Sequence, residues 1–251
     1  MRKIAVFTEG ETDMLFVRDM VMKIYDYQVN IECRKLVGDQ TRNVDNRHSY
    51  ANAELTFNMF SVGNDERVLA NVKEREEGLW RQGYFCIIAL RDMYSQEYTK
   101  RMNRIDEATI HAFLRGWQKT VQGMAKPERI KIHCAIMELE AWLLGMLHIF
   151  EKFDERLRRD NIIRNLRLDP FQDPERIFFK PANTVQNILA IVGEKKSHKA
   201  LEVFQRILKN ISKEDFIQLA QSPFCQSLTH LYNDIVDLKL NSPPPATIEW
   251  E

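Results

Sequence analysis

The sequence is short of several things, and each absence narrows what the chain can be. It has no net charge, with 36 Lys and Arg against 36 Asp and Glu. Proteins that coat nucleic acid non-specifically draw affinity from phosphate neutralisation and carry a basic excess, so any nucleic-acid site here is local. Cysteine is sparse: Cys33, Cys86, Cys134 and Cys225 lie far apart without a CxxC pair, three of them in apolar runs. That predicts buried thiols in a reducing compartment rather than disulfides or zinc ligands. No apolar stretch approaches membrane-spanning length, and the first residues carry no basic-then-apolar leader. Both predict a soluble, cytoplasmic chain without a membrane partner. A glycine-rich loop that would cradle a nucleotide is missing, as are repeats and low-complexity tracts.

What is present is an alternation of two periodicities. "KIAVF" (3–7) reads as a buried strand, and "TDMLFVRDMVMKIYDY" (12–27) as a helix with Thr12 as its N-cap. Residues 29–37 predict a second strand, 38–54 a polar loop or flap, and 55–62 another strand. An acid-capped amphipathic helix follows at 65–82, then the clearest buried strand, "YFCIIAL" (84–90). A helical region at about 103–124 leads to a strand at 129–137 and a helix at 138–150. Strands alternating with helices predict an α/β fold with a mostly parallel sheet flanked by helices. Residues 151–182 mix charges with prolines, and about 183–238 shows only helical periodicity. The expected division is a catalytic domain at 1–150, a helical extension at 151–240 and an extended tail at 241–251.

The acids fall at the strand ends. Glu9 and Glu11 follow the first strand with Gly10 between them and Asp13 just beyond; Asp92 follows the strand at 84–90; Glu138 and Glu140 follow the strand at 129–137. In open α/β sheets the functional crevice lies at the carboxyl ends of parallel strands. Acids converging there without bases repel one another unless a cation sits among them. Hard oxygen ligands of this kind suit Mg²⁺ or Mn²⁺. An acid at a single strand end is better explained as a helix-dipole cap; three acidic ends in one chain favour the metal. Within "MELEAW", residues two apart lean in different directions on a helix. Glu138 therefore has the better aim at a shared ion, while Glu140 is left to bind through water, accept from a nearby Arg or Lys, or cap the helix.

These residues carry a resemblance. "VFTEGETDMLFV" resembles the first motif of Toprim domains, which occur in topoisomerases, primases, small ribonucleases and the overcoming-lysogenisation-defect nucleases. "LRDMYS" and "IMELEAWLLG" are similar to the second and third motifs of a Toprim-like family of uncharacterised prokaryotic proteins, often encoded beside ABC-like ATPases. The resemblance implies a Toprim-like fold and a metal-dependent nuclease acting on DNA or RNA, tRNA included, as the effector of an ATPase-coupled antiphage system. It implies Glu9, Asp13, Asp92, Glu138 and Glu140 as metal ligands and Mg²⁺ or Mn²⁺ as cofactor. Glu9, Asp92, Glu138, Glu140 and Lys199 become the catalytic set, Lys199 by its match to a family lysine. The chain departs from the Asp-x-Asp pattern, with Tyr94 at the third position. That leaves either one strong metal site or a second completed by Glu138 or Glu140. The alternative is a non-catalytic Toprim-derived module that binds an ATPase partner or a nucleotide signal. Nucleotidyl transfer is the weaker third reading, for want of the glycine-rich loop.

Other features have plain explanations. Arg156, Arg158, Arg159, Arg164 and Arg167 form either a phosphate grip or a solvated face among interspersed acids. Trp117 and Trp142 lie on apolar faces and read as core. The six histidines show no ligand spacing, and only His48, in the polar stretch, is placed to visit a site.

Overall fold

The computed structural model describes residues 1–37, 40–63, 67–168 and 172–240. Six strands form a mixed sheet in the order β3-β2-β4-β1-β5-β6, and helices close the described chain. The strands are β1 (Arg2–Thr8), β2 (Asn30–Val37), β3 (Gln40–His48), β4 (Leu55–Ser61), β5 (Tyr84–Asp92) and β6 (Ile130–Ala135). β1 pairs in parallel with both β4 and β5, and β2 in parallel with β4. The α/β class and the mostly parallel sheet expected from the alternating periodicities are therefore present. No helix among the described residues is long and apolar enough to cross a membrane.

The chain forms two compact units. Among the described residues, the first comprises those of Met1–Arg91, His111–His133 and Asn233–Leu240; the second comprises those of Asp92–Ile110 and Cys134–Tyr232. The boundary expected near residue 150 thus falls inside the second unit.

In the first unit, α1 (Glu11–Ile24) packs on β1, β2 and β4, and α2 (Arg67–Arg81) packs on β1. Ile4, Ala5, Val6 and Phe7 of β1 are fully buried, as a strand covered on both faces requires. Phe7 stacks on Phe60 with ring centroids 5.0 Å apart. Two long-range bonds tie down the end of the chain: Tyr25 Oη donates to the Ile235 carbonyl at 2.8 Å, and Arg2 to that of Leu238 at 3.0 Å.

Several expectations need correction. The polar stretch at 38–54 contains a strand, β3, which forms an antiparallel pair with β2. As the edge strand of the sheet it exposes most of its side chains, so its backbone bonds specify it and no apolar alternation advertises it. Helix α1 is capped at Gly10 rather than Thr12, with the Gly10 N–H donating to Asp13 Oδ2 at 2.7 Å. β5 runs on through Arg91 to Asp92, because the Arg91 guanidinium stacks over Trp117 at 4.1 Å and can be buried there. The region at 103–124 holds α4 (Glu107–Gln122), and a further short helix, α3 (Gln96–Arg101), capped by Ser95, precedes it. The expected acid cap of α2 and the tail at 241–251 lie outside the described residues.

The second unit is helical: after the start of α4 come α5 (Glu140–Gly145), α6 (His148–Phe153), α7 (Arg159–Leu166), α8 (Pro174–Ile177), α9 (Pro181–Ile191), α10 (Leu201–Lys209), α11 (Lys213–Gln221) and the start of α12 (Gln226–Leu240). The single helix expected at 138–150 is two, broken at Met146 and Leu147. Gly145 sits at the end of α5 where packing leaves no space. A Cβ there would lie 2.8 Å from Leu219 Cδ1 and 3.1 Å from Cys225 Sγ. Gly145→Ala is therefore expected to lower stability by about 1–3 kcal/mol through overpacking, read as a lower urea midpoint at unchanged slope. The four cysteines are buried free thiols, and Trp117 and Trp142 are buried, as expected.

Candidate active site

The acids singled out by sequence divide between the units. Glu9 and Asp13 belong to the first, at the end of β1 and the start of α1; Asp92, Glu138, Glu140 and Lys199 belong to the second. In the first unit, β1 and β5 run parallel with Thr8 opposite Leu90, so both strands reach the same sheet edge with their carboxyl ends. Glu9 is half-buried there, and its carbonyl accepts from the Gly63 N–H at 2.8 Å. The Asp13 carboxylate accepts from the backbone at the N-terminus of α1, a favourable place for negative charge whether or not a metal is bound. His48 lies on β3, its Nε2 2.8 Å from the Tyr27 carbonyl.

The second unit brings its four residues together. Beyond the strand ends the Met93 N–H donates to the Ala135 carbonyl and the Tyr94 N–H to that of Met137. Both segments advance in the same direction, so Asp92 emerges beside the turn that carries Glu138. Asp92 is buried, and its Oδ1 accepts from the Leu139 N–H at 3.2 Å. The turn is tight: Met137 is fully buried and left-handed, with φ of 63°. Such a conformation in a non-glycine residue is held only by its surroundings and is common where a functional side chain must be aimed. It releases Glu138 before α5 begins at Glu140, so the two acids do not share one regular helix.

Their surroundings separate them. The Glu138 side chain is 12% exposed; its Oε2 accepts from the Ala182 N–H at 3.0 Å, and its Oε1 lies 3.8 Å from Lys199 Nζ. Burial and the like charge of Glu140 push its carboxyl up, against the opposing pull of the Ala182 N–H, Lys199 and His198. Glu140 is 4% exposed, with Oε1 2.7 Å from His198 Nε2 and 3.5 Å from Lys199 Nζ. Burial pushes the Glu140 carboxyl up, but the hydrogen bond from His198 and the nearby charges of Lys199 and His198 outweigh it, and the net direction is down. The two carboxylates, two residues apart, are thus driven in opposite directions. Tyr94, in place of the second Asp of the motif, packs edge-on against Phe179 at 5.4 Å.

Sequence reasoning missed His198. Its partner lies 58 residues away along the chain, so no local spacing could reveal it. It also missed Glu175, which accepts from Trp142 Nε1 at 2.8 Å and from the Ser227 hydroxyl. In the arginine-rich segment Arg156 pairs with Asp154, and Arg158 lies 3.6 Å from Glu151.

A family model described as "Domain of unknown function (DUF4276)" matches residues 8–231. The chain belongs to the DUF4276 family. No curated protein and no solved structure matches it. The matched span of this DUF4276 chain contains every residue of the cluster, His198 and Glu175 included.

Burial raises Glu175 to about 7, despite the hydrogen bonds from Ser227 and Trp142. Between about 4.5 and 7 the unfolded carboxyl is ionised while the folded one keeps its proton. Stability contributed by this group is therefore full below that window, falls as pH rises through it and is flat above, a swing of about 3 kcal/mol at 1.36 kcal/mol per pH unit. Glu175→Gln is expected to melt higher than the native chain at pH 8 and close to it at pH 4.5; calorimetry at the two values checks this.

Proposed function

We propose that this DUF4276 chain hydrolyses phosphodiester bonds in nucleic acid with the help of Mg²⁺ or Mn²⁺. The observation that carries the reading is the second unit's cluster: Asp92 and the partly accessible Glu138 beside a half-exposed Lys199, with Glu140 sealed behind them. Among the described residues no group of three His, Cys, Asp or Glu is arranged to hold a metal ion. The donor chemistry still fits Mg²⁺, which binds through one or two carboxylates and leaves other positions to water and substrate phosphate. Asp92 and Glu138 would hold it, and a carboxylate destabilised by burial and a like-charged neighbour is one that a cation relieves. When bound, the ion would polarise the phosphate and acidify a water. Lys199 would meet charge developing on the phosphate oxygens. Glu140, held by His198, would keep that lysine from leaving.

The Toprim relationship, the ABC-like ATPase partner and the antiphage setting rest on the motif resemblance, as do the roles of Glu9 and Asp13. Packing of Tyr94 on Phe179 is the observation that favours the rival reading, a binding module without catalysis. An end-labelled cleavage assay on a DNA and tRNA panel with Mg²⁺ or Mn²⁺, with and without the ATPase, separates them. Metal-dependent cleavage that disappears in Asp92→Asn and in Glu138→Gln is the expected result. Cleavage equal in both variants and the native chain rejects the assignment, and none from any combination leaves the binding module.

A further inference from the structure

We infer that His198 is a positioning residue that fixes where the Lys199 ammonium stands, so that Lys199 can receive the anionic oxygens of a phosphate. His198 is buried, and both of its ring nitrogens face acceptors: Nε2 lies 2.7 Å from Glu140 Oε1, and Nδ1 lies 3.2 Å from Gln186 Oε1. Its backbone N–H also donates to Gln186 Oε1 at 2.9 Å, which sets the amide oxygen on that side. The imidazole thus links α9, the loop before α10 and the first residue of α5. The Glu140 oxygen it grips is the one that faces Lys199 Nζ at 3.5 Å.

Lysine is a flexible point charge on a four-carbon stem, and confining it costs side-chain entropy. Here the Lys199 side chain is 46% exposed, and its ion-pair distances of 3.5 and 3.8 Å are longer than tight hydrogen bonds. Two carboxylates therefore locate the ammonium without enclosing it. One of those carboxylates, Glu140, is oriented by His198; the other, Glu138, by the Ala182 N–H. Without the imidazole, Glu140 Oε1 would be left with the 3.5 Å approach of Lys199, too long to fix the direction of the carboxylate. The imidazole removes that freedom.

The catalytic consequence rests on the proposed phosphodiesterase reading; the positioning itself does not. Two variants divide the side chain's contacts. His198→Asn keeps reach to Gln186 and loses Glu140, whereas His198→Gln extends to Glu140. Crystal structures of both in the full chain should show Lys199 Nζ more than 4 Å from Glu140 in His198→Asn and restored in His198→Gln. Affinity for a single-stranded oligonucleotide, measured in EDTA so that nothing is cleaved, should fall roughly fivefold in His198→Asn, the loss of about one hydrogen-bond contribution. That loss should vanish when Lys199 is already Gln, since the imidazole acts through the lysine. Lys199 unmoved in His198→Asn overturns the inference, and so does an additive double variant. Lys199 displaced in a protein that binds no oligonucleotide leaves the positioning intact and rejects the nucleic-acid reading instead.

Discussion

On the proposed function, Glu138→Gln is expected to lower metal-dependent cleavage roughly a hundredfold or more, the barrier rise of about 3 kcal/mol that loss of a proposed metal ligand would bring. The amide keeps the size of the side chain and can still accept from the Ala182 N–H, so the fold survives. Because Glu138 is pushed up by burial and by repulsion from Glu140, removing its charge also relieves strain in the free protein. The variant should melt at or slightly above the native temperature while its activity collapses. Mg²⁺ at tenfold higher concentration should restore little. Full activity in Glu138→Gln would remove the acid from the reaction, and lost activity together with a large drop in melting temperature would make it structural.

Glu140→Gln should behave in the opposite way. Its buried carboxylate lies 2.7 Å from His198 Nε2 and 3.5 Å from Lys199 Nζ, and an amide there gives up the charge-assisted part of these contacts, a cost of about 1–3 kcal/mol. The loss should be visible as a lowered denaturant midpoint. Adding His198→Gln to the same chain should return part of the loss, because two amides side by side can donate to and accept from each other. A Glu140→Gln protein as stable as the native one, but inactive, would instead mark Glu140 as a direct participant. Read together, the two variants would separate a carboxylate that meets substrate from one that holds its neighbours in place.

Much of the architecture was legible without coordinates. "YFCIIAL" and "KIAVF" announce buried strands because a strand covered on both faces must be apolar throughout, and that requirement acts residue by residue. The acids at strand ends were legible for a related reason: where a strand stops and a helix begins, chain order alone puts the next side chain at the sheet edge. The hairpin strand Gln40–His48 was not legible, since an edge strand with exposed side chains is specified by backbone bonds that leave no mark in composition. Nor was the break between α5 and α6 at Met146 and Leu147, which falls inside a run of helical periodicity. The same division runs through the site. Glu138 and Glu140 read as equals in "MELEAW", and a left-handed Met137 together with a histidine 58 residues downstream of Glu140 makes one accessible and the other sealed. Local patterns follow from which face of an element must be dry; which buried charge meets which partner depends on loop closure between distant segments, and only the folded chain decides that.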